Sequence, residues 1–150
     1  MSQTHAHIVL HLVFSTKNRV PLIDKTVKDP LHAYLATVCR EQGCHAYRVG
    51  GVEDHVHIAT TLSRTMTVAK LIEHLKSSSS SWMKSQGNAY TAFYWQGGYG
   101  AFSVSPKDLD ALIRYIEGQE EHHRTKTFQE EYLQFLKQYN IPYDPKYIWE

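Results

Sequence analysis

The sequence predicts an α+β fold of the ferredoxin-like, split β-α-β kind. In this fold an antiparallel sheet carries helices on one face, and here further helices follow at the C-terminus. Residues 7–14 alternate with a period of two, residues 46–62 contain two short strand-like runs, and two longer segments show helical spacing. The predicted order is therefore β-α-β-β-α-β followed by helices, in a single domain over residues 1–150.

The first half of the chain supplies three strands and one helix of this prediction. Between residues 29 and 42, apolar side chains recur at helical spacing and Gly43 ends the pattern. Residues 46–52 and 55–62 then predict two strands joined by a turn that contains glycines and acidic residues. Together with residues 7–14, these segments account for most of the sheet.

The second half begins with Thr67, a residue type that caps helices, before a long amphipathic segment. Five serines, residues 77–81, lie inside it, and either close packing or phosphate contact would explain them. Residues 93–95 predict the fourth strand, and glycines at 97, 98 and 100 predict a flexible bend. A helix capped by Ser105 and a last helix over residues 127–139 complete the prediction.

The charge of the chain is unevenly distributed. Net charge is +1, but residues 1–107 carry +5 and residues 108–150 carry −4. The basic front could face phosphates, although an uneven surface charge without a role is an equal alternative. No apolar run is long enough for a membrane span, and the N-terminus lacks the features of a signal peptide. We therefore expect a cytoplasmic protein whose two cysteines, Cys39 and Cys44, are reduced.

Two histidines lie two residues apart in the segment Asp54-His55-Val56-His57. Side chains at positions i and i+2 of a strand point to the same face, so His55 and His57 can bind one metal ion. Two ordinary strand histidines facing solvent would give the same pattern. A useful catalytic metal site also needs further ligands and an open position for substrate.

A second group of polar residues lies on the helix near residue 115. Tyr115 and Gln119 are four residues apart and share a helical face, so Gln119 could add an oxygen ligand beside the Tyr115 phenol. A phenol needs a cation or a base to become a nucleophile. The alternative is a half-buried aromatic residue on an amphipathic helix. His122 is another possible ligand, although the pair His122-His123 is more typical of a solvated helix end.

Three segments carry a resemblance to a known family: VGGVEDHVHIA, WQGGYGAFSVS and YIEGQEEHH. Together they resemble the insertion-sequence 200/605 transposases, which are single-tyrosine members of the HUH endonucleases. The similarity extends over nearly the whole chain. The histidine pair alone is weakly specific, but its combination with a later helical Tyr-x-x-x-Gln is strongly specific.

The resemblance implies a site and a reaction. His55, His57 and Gln119 match the family's metal ligands, with Mg²⁺ or Mn²⁺ as the cofactor, and Tyr115 matches the nucleophile. The family cleaves and rejoins single-stranded DNA at hairpin-marked element ends through a 5′-phosphotyrosine intermediate. Its members are homodimers in which the tyrosine helix often serves the partner's site.

The residues that contact DNA are harder to predict. Basic and hydroxyl side chains contact phosphates, and the candidates are Lys17, Arg19, Lys76 and Lys84, with the serines of residues 77–81. A non-catalytic single-strand nucleic-acid module of the same fold, or a domesticated repeat-associated relative, remains an alternative. A histidine-triad hydrolase is disfavoured because Ala59 stands where its third histidine would be.

Overall fold

A computed structural model describes residues 2–150, and it confirms the α+β prediction. The four strands of its antiparallel sheet lie in the order β2-β3-β1-β4. They are β1 (Val9–Ser15), β2 (Ala46–Val52), β3 (His55–Thr61) and β4 (Gly100–Val104). The helices are α1 (Lys25–Glu41), α2 (Val68–Lys84), α3 (Leu109–Glu117), α4 (Gln119–His122) and α5 (Phe128–Gln138). Since β1 lies between β3 and β4, the topology is that of the split β-α-β fold.

Helices α1 and α2 cover one face of the sheet. Alternate residues of β1 and β3 point to this face, including Leu12 and Ile58, and they pack with Leu35 and Leu75 in the main core. Helix α2 begins as predicted, because the Thr67 side chain accepts a hydrogen bond from the Lys70 amide. This face is apolar and contributes the larger part of the hydrophobic core.

The opposite face of the sheet carries the polar residues and lies beneath the C-terminal part of the chain. His11 and Val13 of β1 point there, as do His55 and His57 of β3, because their neighbours point into the main core. Helix α5 covers them and brings Phe128 and Leu136 into a second, smaller apolar cluster. The histidines of β3 are therefore buried rather than solvent-facing.

The fourth strand differs from the prediction. It is Gly100–Val104, which pairs with β1, whereas residues 93–95 form a loop whose single bridge joins Trp95 to Thr16. Phe93 is fully buried, and the Trp95 indole donates a hydrogen bond to Ser79 Oγ. The prediction of a strand at residues 93–95 was therefore wrong. The side chains of this segment instead anchor a loop across the end of the sheet.

Helix boundaries also differ in places. Helix α1 begins at Lys25, before the predicted start, because the Asp24 side chain accepts a hydrogen bond from the Thr26 amide. Ser105 makes no capping hydrogen bond through its side chain, and a short 3₁₀ turn precedes α3. The last helix agrees well, since Thr127 forms a reciprocal capping box with Glu130. Among residues 2–150, no helix is long and apolar enough to cross a membrane.

Candidate active site

The two histidines of β3 are fully buried and point toward a common centre. Their strand register places His57 opposite Val13 and His55 opposite Ser15 of β1. Each ring has one nitrogen held by a neighbour. The Asp54 carboxylate lies 2.7 Å from His55 Nδ1, and His11 Nε2 lies 2.7 Å from His57 Nδ1. Both Nε2 atoms are thereby directed toward α5.

A buried carboxylate, Glu131 of α5, lies at this centre and is 1% exposed. Its Oε1 is 3.0 Å from His57 Nε2 and 3.4 Å from His55 Nε2. The Nε2 of His123 lies 3.2 Å from the same oxygen. Three imidazoles therefore surround one carboxylate oxygen.

The second oxygen of Glu131 faces the tyrosine. The Tyr115 hydroxyl donates a hydrogen bond to Glu131 Oε2, and Gln119 Nε2 donates another at 3.2 Å. Gln119 Oε1 in turn lies 3.1 Å from His55 Nε2. The structure thus brings together His55, His57, Tyr115 and Gln119, the four residues singled out in the sequence, within a single chain.

Tyr115 and Gln119 reach the site from two helices rather than one. Helix α3 ends at Glu117 and Gly118 separates it from α4, which begins at Gln119. A glycine of β2 permits the close approach of α3. A Cβ added at Gly50 would lie 2.7 Å from Ile116 Cγ2 and 2.8 Å from the Ile116 carbonyl oxygen. The absence of a side chain at Gly50 therefore sets the depth at which Tyr115 lies.

Burial and hydrogen bonding shift the pKa values of this group in opposite directions. Burial would lower the pKa of His55, but hydrogen bonds to Asp54 and Glu131 raise it to about 9. Burial lowers the pKa of His57 to about 4. Burial would raise the pKa of Glu131, but hydrogen bonds from His123, His55 and His57 hold it well below its usual range. Glu131 is therefore an anion at neutral pH.

The pKa of Tyr115 is raised well above its usual value of 10, first by burial and then by its hydrogen bond to Glu131. Its phenol is consequently neutral, and its hydroxyl hydrogen is hydrogen-bonded to the Glu131 carboxylate. A neutral phenol at this position needs a change in its surroundings before it can attack an electrophile.

The chemistry of this cluster fits a divalent metal ion. One ligand atom from each of four residues lies within 4.8 Å of the others, and the four residues are His55, His57, His123 and Glu131. Imidazole nitrogens and a carboxylate oxygen are common ligands of transition metals. The Asp54 carboxylate on His55 Nδ1 is of the kind that orients a metal-bound imidazole, and the His11 ring holds Nδ1 of His57.

Two of the four predicted DNA contacts lie just beyond the C-terminal end of β1, the end at which Ser15 pairs with His55. Lys17 is exposed, and the Arg19 guanidinium lies 5.6 Å from the centre of the Trp149 ring. Arg19 borders a cleft of about 400 Å³ that Tyr99 and Phe128 also line. The Phe128 ring is 4.6 Å from the His55 ring, so this aromatic cleft adjoins the buried cluster.

The other two predicted contacts already have partners within the chain. Lys76 Nζ donates to the carbonyl oxygens of Gln96 at 2.8 Å and Gly98 at 2.6 Å, and burial lowers its pKa to about 8. Lys84 Nζ lies 4.0 Å from the centre of the Tyr94 ring. Lys76 therefore holds the loop before β4.

The serine run has a packing role at one position at least. Ser79 is fully buried, donates to the Leu75 carbonyl and accepts from Trp95. The cysteines Cys39 and Cys44 are both buried and free of disulfides.

Sequence reasoning missed Glu131 and misjudged His123. The pair His122-His123 was expected at a solvated helix end, but the His123 side chain is only 8% exposed because α5 folds back over it. Glu131 follows the capping-box residue Glu130 and interrupts an apolar stripe of Phe128, Tyr132 and Phe135. A charged residue within such a stripe is the signal that marks it, since buried charges are paired or bind metals.

The family is decided by a match over most of the chain. A family model described as "Transposase IS200 like" matches residues 4–119. The chain belongs to the IS200-like transposase family. No curated protein matches this chain significantly. The matched residues include His55, His57, Tyr115 and Gln119 and stop before His123 and Glu131.

Solved structures agree with the fold of this IS200-like transposase. A protein of Deinococcus radiodurans R1, solved as a candidate transposase, superposes with a TM-score of 0.61 at 21% identity, covering 79% of this chain and 98% of the other. A REP-associated tyrosine transposase bound to a REP hairpin superposes with a TM-score of 0.59 at 16% identity, covering 82% and 74%.

Proposed function

We propose that this protein cuts and rejoins single-stranded DNA, with Tyr115 as the nucleophile and a 5′-phosphotyrosine as the intermediate. One observation carries the proposal: the Tyr115 hydroxyl and the Nε2 atoms of the β3 histidines share the two oxygens of one buried carboxylate. A nucleophile beside a metal-binding cluster is the arrangement that phosphoryl transfer requires.

The proposed reaction exchanges one phosphodiester bond for another. The Tyr115 oxygen forms a bond to phosphorus, and the bond from phosphorus to the 3′ oxygen breaks. The proton of the phenol is released toward Glu131, and the departing 3′ oxygen takes up a proton. Because the phosphotyrosine retains the bond energy, attack by a new 3′-OH rejoins the strand without ATP.

We propose that a divalent ion, Mg²⁺ or Mn²⁺, is held by His55, His57 and Gln119. Such an ion neutralises charge on the scissile phosphate when it is bound. The site residues have their own tasks: Asp54 and His11 orient the two imidazoles, and Gln119 holds Glu131 through its amide.

The proposed partner is a DNA hairpin with an unpaired flank at an element end. The solved REP-associated relative is bound to a REP hairpin, which supports this choice. The aromatic cleft beside Arg19 suits unpaired bases, since base stacking on aromatic rings and cationic side chains contributes to single-strand binding. The cytoplasmic location expected from the sequence follows from such a substrate.

The first test is a denaturing gel of the protein with labelled single-stranded hairpin oligonucleotides taken from the flanks of its own gene, with Mn²⁺ or EDTA. We expect a metal-dependent covalent band that is lost in Tyr115→Phe. Tyr34→Phe is the matched control, since Tyr34 stacks on Trp82 in the main core and is expected to keep the band.

The opposite result separates the alternatives. Tight binding of the hairpin with no covalent band at any metal concentration would refute the nuclease proposal. It would favour a non-catalytic binding module or a domesticated relative, for which the exposed tyrosines 94, 99, 143 and 147 offer stacking surfaces.

The homodimer with shared sites that the resemblance implies has its own test. Mixing His57→Ala with Tyr115→Phe restores cleavage only if one chain can use the tyrosine of another. Continued inactivity of the mixture would instead favour a site built within one chain, in which the Tyr115 hydroxyl donates to Glu131 as it does in this structure. Restored cleavage would support assembly in trans.

A further inference from the structure

Two side chains beyond residue 119, those of His123 and Glu131, are of types that bind metal ions and lie in the cluster. Glu131 lies in the first turn of α5, directly after the capping box, and His123 lies at the end of α4. Neither falls within the residues matched by the family model. Carboxylates are almost never buried unless they are paired or coordinate a metal.

The hydrogen-bond partners of His123 fix which nitrogen faces the cluster. The Lys126 carbonyl oxygen, 2.6 Å from His123 Nδ1, can only accept, so Nδ1 carries the hydrogen. In the neutral ring, Nε2 then presents a lone pair to Glu131 Oε1 at 3.2 Å. Two lone pairs at this distance repel each other, so either a proton or a metal ion must lie between them.

His55 Nε2 likewise needs a proton or a metal ion between it and its oxygen neighbours. Its Nδ1 donates to the Asp54 carboxylate, and its Nε2 faces two acceptors, Gln119 Oε1 at 3.1 Å and Glu131 Oε1 at 3.4 Å. Protonating every ring would place several positive charges together, since the His55 ring centre is 4.5 Å from that of His123 and 5.0 Å from that of His57. One divalent ion in place of these protons would satisfy all of the nitrogen lone pairs at once.

The distances suit such an ion. Ligands on opposite sides of an ion with bonds of about 2.1 Å are separated by about 4.2 Å. The four ligand atoms lie within 4.8 Å of one another, so side-chain shifts of a few tenths of an ångström would suffice. Each of the three imidazoles also has its other nitrogen held by an oriented partner, as metal-bound histidines do.

We propose that His123 and Glu131 are metal ligands, completing with His55 and His57 a centre that selects a transition ion such as Mn²⁺ or Co²⁺ over Mg²⁺. This inference rests on the proposed metal-dependent function and extends its ligand set. Three imidazoles favour transition ions, whereas Mg²⁺ prefers oxygen ligands and retains several waters. Gln119 would remain a ligand through its Oε1, and the ion would supply charge neutralisation at the scissile phosphate.

Glu131 then joins the two halves of the site. Its Oε1 belongs to the metal ligands, while its Oε2 receives the hydrogen bonds of Tyr115 and Gln119. If Oε1 bound a metal ion, the carboxylate would carry less charge, and its hydrogen bond would stabilise the neutral Tyr115 phenol less strongly. Glu131 is thus a positioning residue for Tyr115 as well as a ligand.

The test measures metal binding directly, without DNA. Isothermal titration with MnCl₂, CoCl₂ and MgCl₂ should show Mn²⁺ and Co²⁺ binding at least tenfold tighter than Mg²⁺. We expect Glu131→Gln and His123→Ala each to weaken Mn²⁺ binding more than tenfold, since even the loss of an oriented outer partner costs about 10- to 100-fold. The Co²⁺ absorption spectrum should change in both variants.

Matched controls are available on the same chain. Glu121→Gln removes a carboxylate that is 77% exposed, and His74→Ala removes a histidine of α2, so both should bind Mn²⁺ like the original protein. Circular dichroism and thermal melting of each variant separate a lost ligand from a lost fold. Glu131→Asp keeps the charge and is expected to recover part of the affinity.

The outcomes distinguish the inference from the proposed function. If His57→Ala loses Mn²⁺ while folded Glu131→Gln and His123→Ala retain it, the inference fails and the metal-dependent function stands. If the original protein binds none of the three ions, both fail. Equal affinity for Mg²⁺ and Mn²⁺ would overturn the selection of a transition ion.

Discussion

A single methyl group at Gly50 should displace Tyr115, the proposed nucleophile. In Gly50→Ala the new Cβ would meet Ile116 Cγ2 at 2.7 Å, whereas ordinary contacts begin near 3.4 Å, so α3 must retreat by about 0.7 Å. The Ile116 carbonyl oxygen at 2.8 Å is backbone and cannot rotate away. We therefore expect the whole helix, with Tyr115, to move.

The magnitude follows from the size of that shift. Overpacking of this kind costs about 1–3 kcal/mol of unfolding free energy, which lowers the Tm by roughly 2–4 °C for each kcal/mol in a chain of this size. A misplacement of about 1 Å can slow a positioned reaction by about 10²-fold. We expect the rate of covalent adduct formation to fall at least tenfold, while Mn²⁺ affinity changes much less.

The assay is single-turnover adduct formation followed on a denaturing gel, with a thermal melt of the same sample. Gly118→Ala is the control, because its Cβ would make ordinary contacts of 3.5 and 3.8 Å at a φ of −90°. A Gly50→Ala protein with unchanged Tm and unchanged adduct rate would refute the argument that Gly50 sets the position of α3.

Two further predictions concern stability. Burial lowers the pKa of His32 from 6.5 to about 4. Between these two pH values the unfolded chain binds a proton at His32 that the folded chain does not bind. The free energy of unfolding therefore falls as the pH drops from 6.5 to 4. His32→Gln should remove this acid sensitivity, which is worth up to about 3 kcal/mol of unfolding free energy. The measurement is denaturant titration of both proteins at pH 7 and 4.5, and an equal loss of stability at the lower pH would contradict the prediction. Lys76→Ala should accelerate amide hydrogen exchange in residues 96–98 and lower the unfolding free energy by about 1.5–3 kcal/mol, because two carbonyl oxygens lose a charged donor. The control is Lys70→Ala, which removes an exposed lysine of the same helix. Equal exchange rates in the two variants would argue against this role of Lys76.

The order of the elements could be predicted from the sequence because it depends on local periodicity. Residues 46–52 are a strand as predicted, and Thr67 caps α2 as expected. The fourth strand could not be predicted in this way. The run Phe93–Trp95 has strand-like composition, but Gly100–Val104 is the segment that pairs with β1, and that pairing depends on long-range register.

The residues of the site likewise fall into those that local patterns predict and those that depend on long-range folding. His55 and His57 could be predicted as neighbours because strand alternation alone puts them on one face. Tyr115 and Gln119 came from helical spacing and the family resemblance, and their catalytic roles stay predictions. Glu131 lies on a helix that returns to β3 from far along the chain, so no local pattern near the histidines indicates its presence.

The meeting of Tyr115 and the histidines within one chain bears on how activity depends on the concentration of the protein. An enzyme that needs two chains for each cut loses activity per molecule as it becomes scarce, because pairs dissociate on dilution. Here the hydroxyl of Tyr115 and the ring of His57 contact the same Glu131 of one chain. If the proposed cutting uses this arrangement, its rate per molecule stays constant as the protein is diluted, so that a cell holding only a few copies would retain the full activity of each. If chains exchange Tyr115 instead, that rate falls on dilution.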